Sequence, residues 1–97
     1  MIDIDNLQLD LIKRILSEVI PEYNVWAFGS RVNGRPQKFS DLDLALVSNE
    51  KIDWRVIERL KDAFSESDLP IMVDVVDFNS VSENFRKIIS EKYSVIQ

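Results

Sequence analysis

The chain has no cysteine and no histidine, and that double absence narrows its chemistry before any motif is read. Without thiols there are neither disulfides nor a thiolate metal site, a usage that suits a reducing cytoplasm. Without either residue, a bound metal must rest on oxygen ligands, which selects a hard cation such as magnesium. No apolar run approaches membrane-spanning length, and Met1–Asp5 has neither the basic region nor the apolar core of a signal peptide. The reading is therefore a soluble, cytoplasmic protein with no membrane partner. Positive charge is also short: 12 Lys and Arg stand against 17 Asp and Glu, a net charge of -5. Binding to nucleic acid depends on neutralising phosphates with cations, so a polynucleotide is an unfavourable partner. Glycine occurs only twice, as Gly29 and Gly34, and both fall in one stretch.

What is present makes one domain, residues 1–97, because 97 residues at 45% apolar content build one core and not two. Between Leu7 and Ile20 the positions Leu11, Ile12, Ile15, Leu16 and Val19 recur at helical spacing, with Asp5 and Gln8 as a capping box and Pro21 as a stop. Asn24 to Phe28 and Leu42 to Val47 read as strands, with Trp26 a core aromatic. Asp53 caps a second helix whose inner side carries Trp54, Ile57, Leu60 and Phe64, while Arg55, Glu58, Arg59, Lys61 and Asp62 face water. Ser65–Pro70 breaks that helix, and Ile71–Asp77 follows as a third strand. Ser80 with Glu83 forms a second capping box, opening a helix that turns Val81, Phe85, Ile88 and Ile89 inward. Tyr93–Ile96 reads as a short last strand or a packed tail, and nothing in this part suggests chemistry; Arg86 is taken as a surface residue. The sum is a mixed α/β fold: a small mixed sheet with flanking helices mainly on one side, and a cleft on the other.

The chemistry concentrates between Phe28 and Val47. Alternation along a strand sends Asp41 and Asp43 to one face and Leu42, Leu44 and Leu46 to the other. Two carboxylates ~4 Å apart repel by about 4 kcal/mol at an effective dielectric near 20, so a cation belongs between them. Upstream, Gly29 allows a tight turn, and Ser30 and Arg31, if they open a helical turn, offer free N–H groups to a phosphate. Arg31, Arg35 and Lys38 gather basic charge beside that turn, Arg31 being the strongest of the three for neutralising a triphosphate. Ser40 orients Asp41 or simply turns the chain. Asp74 reads two ways, as an edge-strand charge facing water or as a third carboxylate delivered to the metal site by a neighbouring strand. Asp77, three residues on, reads as a turn or cap residue.

Gly29-Ser30-Arg31, Gly34 and Ser40-Asp41-Leu42-Asp43-Leu44-Ala45-Leu46 together resemble the signature of the DNA polymerase β nucleotidyltransferase superfamily, and the short chain resembles its minimal nucleotidyltransferase branch. The resemblance is tight over about twenty residues and departs from the commonest pattern at Asn33, where a basic residue often precedes the second glycine. It implies a nucleotidyltransferase fold, with Gly29 and Ser30 on the β- and γ-phosphates of ATP or another NTP and Arg31 adding charge. It implies one or two magnesium ions on Asp41 and Asp43, with Asp74, in the run Val73-Asp74-Val75-Val76, as a further metal ligand and general base. It further implies a helical partner of the HEPN type in a hetero-oligomer, the chain being the antitoxin that moves AMP onto a hydroxyl, in some systems a tyrosine, of its toxin. A competing reading makes the chain a binding module that neutralises its partner by contact alone. A purely structural calcium or magnesium site would leave the Gly29-Ser30 turn and its basic neighbours unexplained.

Overall fold

The computed structural model describes residues 4–29 and 41–97. Ser30, Arg31, Gly34, Arg35, Lys38 and Ser40 lie outside these residues. Among the described residues the order of elements is α1 (Asn6–Val19), β1 (Asn24–Phe28), β2 (Leu42–Val47), α2 (Trp54–Ser65), β3 (Val73–Asp77), α3 (Glu83–Glu91) and β4 (Ser94–Val95).

Each helix begins where a side chain can take up free backbone N–H groups. The Asp5 carboxylate accepts from Leu7 N at 2.8 Å and Gln8 N at 3.4 Å. Asp53 accepts from Arg55 N at 2.9 Å and so starts α2. At α3 the capping residue is Ser82, whose hydroxyl accepts from Phe85 N at 3.1 Å, and not Ser80 as the capping-box pattern suggests. Ser80 is taken up elsewhere, donating to Asp77 Oδ2 at 2.8 Å. Glu83 then stands in the first turn, where the positive end of the helix dipole favours it.

The four strands form one mixed sheet in the order β3-β2-β1-β4. β2 runs antiparallel to β1 and parallel to β3, and the short β4 closes the other edge antiparallel to β1. The parallel β2–β3 pair follows from the intervening α2, which carries the chain back across one face before β3 begins. Leu42, Leu44 and Leu46, all fully buried, face that side and meet Ile12, Leu16, Leu60 and Phe64 from α1 and α2. Full burial of each such side chain contributes about 1.5–3 kcal/mol.

The opposite face is not simply left open. α3 lies across part of it, and Phe28, Ala45 and Ile89 form a second apolar cluster joined by Trp26, Val76, Phe78 and Phe85. Trp26 belongs to this smaller cluster, stacked on Tyr93 at 4.0 Å and meeting Phe78 edge-on at 5.3 Å. Two inward assignments fail. Trp54 is 68% exposed and Ile88 60% exposed. Trp54 opens its helix, six residues ahead of the buried Leu60, and its ring lies beside the Arg55 guanidinium at 5.8 Å. Ile88 sits next to Ile89, which takes the inward position.

Candidate active site

The sheet register gathers the acidic residues. Phe28 on β1 is opposite Asp43 on β2, and Asp43 is opposite Asp74 on β3. Register partners share a face and neighbouring strands lie about 4.8 Å apart, so the end of β1, Asp43 and Asp74 form one row across the sheet. Gly29 follows Phe28 at φ +86°, the left-handed region that side chains avoid. A β-carbon on Gly29 would overlap Asp43 Oδ2 and lie 3.2 Å from its Cγ. The turn after β1 thus packs directly on the carboxylate.

Asp43 is half-buried on the face shared with Ala45, while Leu42 and Leu44 anchor the other. Its pKa is raised above the usual carboxylate value, first by burial and then by the negative charges of Asp74 and Asp41. Asp41 stands just ahead of β2 and is exposed; Asp74 is exposed on an edge strand. Asp74 thus faces water at an edge and stands opposite Asp43 in the register. Among the described residues no three His, Cys, Asp or Glu side chains close on a single point as a ready metal centre. The donors agree in kind with a hard cation, since they are carboxylate oxygens whose charges oppose one another. A divalent ion between them would offset the repulsion from Asp74 and Asp41 that adds to the effect of burial on Asp43.

A cleft of about 450 Å³ opens over this row. Phe28, Gly29, Asp43, Asp74 and Val76 form its sheet side, and Phe85, Ile88, Glu91 and Lys92 come from the end of the chain. Phe28 and Phe85 meet edge to face at 5.7 Å and fix α3 against β1. The contribution of α3 and Lys92 was not foreseen in the sequence. The visible signal is the spacing of Phe85 and Ile88, three residues apart on one stripe of a helix, with Lys92 just past its end.

A larger cavity of about 650 Å³ lies elsewhere, lined by Lys51, Trp54, Arg55, Ile57 and Glu58 among others, at the far end of β3. Its buried carboxylate, Asp77, is already engaged. It accepts from Ile52 N at 2.9 Å, Asn79 N at 2.9 Å and the Ser80 hydroxyl, and so serves the turn as the sequence suggests. The candidate site is the smaller cleft, because that is where the acidic row and the glycine turn meet.

Residues 3–97 match the family model described as polymerase beta, nucleotidyltransferase. The chain belongs to the polymerase β nucleotidyltransferase family. It is 53% identical over 96 residues to the protein named Probable protein adenylyltransferase MntA of Haemophilus influenzae, an alignment covering 99% of this chain and 84% of that one. Its fold resembles a chain of a toxin–antitoxin crystal structure with AMP-PNP, at a TM-score of 0.67 and 23% identity, over 92% of this chain and 72% of that one. It also resembles a chain in the structure of tri-AMPylated Shewanella oneidensis HEPN toxin in complex with MNT antitoxin. There the TM-score is 0.60 and the identity 22%, over 94% and 70% of the two chains. These structural likenesses establish the nucleotidyltransferase fold. No helix among the described residues is long and apolar enough to cross a membrane.

Proposed function

We propose that this chain is a single nucleotidyltransferase domain, residues 1–97, that transfers AMP from ATP to a hydroxyl of a HEPN-type helical partner and so acts as the antitoxin of a pair in the cytoplasm. The observation that carries the reading is the row formed by the Gly29 turn, Asp43 and Asp74 across three adjacent strands. The protein adenylyltransferase relative, aligned along 99% of the chain, supports the reaction class, and the toxin–antitoxin complexes that share the fold support the partner.

In this reading the Gly29 turn, with Ser30 and Arg31, receives the β- and γ-phosphates, and Ser40 orients Asp41. Asp41, Asp43 and Asp74 would hold two magnesium ions, which supply charge stabilisation at the phosphates and lower the pKa of a bound oxygen. Asp74 also takes the proton from the acceptor hydroxyl. That oxygen forms a bond to the α-phosphorus as the bond to the β-phosphate oxygen breaks, and pyrophosphate leaves on the Gly29 side.

The test is to co-purify the full chain with its native partner, add each NTP with magnesium, and weigh the intact proteins. One or more AMP units should appear on the partner with wild-type protein and none with the Asp41→Asn, Asp43→Asn double variant. Continued transfer by that variant overturns the assignment. Neutralisation of the partner without transfer makes the chain a contact inhibitor.

A further inference from the structure

Lys92 lies just past α3 with extended backbone, φ -153° and ψ 110°, and it lines the cleft that holds Gly29, Asp43 and Asp74. β1 and β4 pair with Trp26 opposite Val95 and Ala27 opposite Ser94. Continued by one residue, this register sets Tyr93 against Phe28, the last residue of β1, with Lys92 just beyond, where β1 gives way to the Gly29 turn. The stacking of Tyr93 on Trp26 agrees with that continuation, since it is the diagonal contact the register would produce. Gly29, Asp43 and Lys92 thus line the same cleft.

We propose that Lys92 binds the β- and γ-phosphates of the nucleotide, closing over the Gly29 turn on the group that leaves as pyrophosphate. The proposal rests on the nucleotidyl-transfer reading above. Among the described residues lining the cleft, Lys92 is the cation, while Asp43, Asp74 and Glu91 are all acidic. A triphosphate entering so acidic a site needs a counter-charge at its far end, and a lysine ammonium brings three donors on a flexible stem. Position decides which substrate Lys92 serves. In-line displacement puts the acceptor and the leaving group on opposite sides of the α-phosphorus. Asp74, on the edge strand, marks the acceptor side, and Lys92, beyond β1, is on the other.

The full chain with magnesium is titrated calorimetrically with a non-hydrolysable ATP analogue and, separately, with AMP. For Lys92→Ala the dissociation constant for the ATP analogue should rise about tenfold, the worth of one charge-assisted hydrogen bond. AMP binding should be unchanged, Lys92→Arg should bind close to wild type, and the melting temperature should hold because Lys92 is exposed. Equal affinity of Lys92→Ala and wild type for the ATP analogue, or equal losses for the analogue and AMP, overturns the proposal. Failure of the wild-type chain to bind the analogue overturns the nucleotidyl-transfer reading and this inference with it.

Discussion

Gly29 and Asp43 touch across the β1–β2 pair with room for nothing larger than hydrogen on the glycine. The contact joins the turn that would receive phosphate to the carboxylate that would hold metal. Any displacement of one is felt by the other.

Gly29→Ala meets two penalties at once. Its φ of +86° costs an L-residue about 1–2 kcal/mol, and the new methyl displaces the Asp43 carboxylate. A melting temperature lower by roughly 5–10 °C is expected for a domain of this size. ATP-analogue affinity should fall with it. Thermal melts and calorimetry check both, and a wild-type melting curve would show that the two residues do not pack this way in solution.

Asp43→Asn should have opposite effects on stability and on activity. Burial and the charges of Asp74 and Asp41 raise the Asp43 pKa in the fold. Its neutral form therefore favours folding, and that advantage is lost as pH rises through the raised pKa. In EDTA at pH 7 the variant should melt above wild type, and the gap should shrink as pH falls toward 4. Transfer should be abolished. A variant that melts below wild type at neutral pH contradicts the electrostatic account.

Asp74→Asn separates binding from chemistry. The side chain is exposed, so the fold should be unaffected. Loss of a general base lowers transfer by about 10²–10⁴-fold, while calorimetry should still register the ATP analogue. Transfer at the wild-type rate would return Asp74 to the standing of a solvated edge charge.

Asp77→Ala tests the polar joint at the other end of β3. Three donors converge on this buried carboxylate, one of them the backbone N–H of Ile52. Leaving a buried donor unpaired costs about 1–3 kcal/mol, so a loss of ~2–4 kcal/mol in chemical denaturation is expected. Nucleotide affinity should survive in the fraction that remains folded.

Much of the framework was legible because local rules dominate it. β1 and β2 fall on the residues that apolar content and alternation indicate, and Asp5 and Asp53 cap as their spacing implies. The misjudged positions are those where a residue close by in the chain competes for the same role. Ser80 is drawn to Asp77 and yields the cap to Ser82, and Ile88 yields the inward place to Ile89. For the candidate site, the residue types and spacing of Gly29, Asp41 and Asp43 can be read along the chain. The meeting of Asp43 with Asp74 depends on a parallel register, and the approach of Lys92 depends on β4 joining β1. Neither pairing leaves a mark in any single stretch of residues.

The β1–β4 pairing has a consequence for biosynthesis. Trp26 and Val95 are roughly seventy residues apart in sequence, yet they are partners in the sheet. A nascent chain can lay down the acidic row once β3 has emerged, but the helix and lysine that wall the cleft are synthesised only after it. The complete cavity, and any nucleotide retention that depends on it, therefore forms later in synthesis than the acidic row.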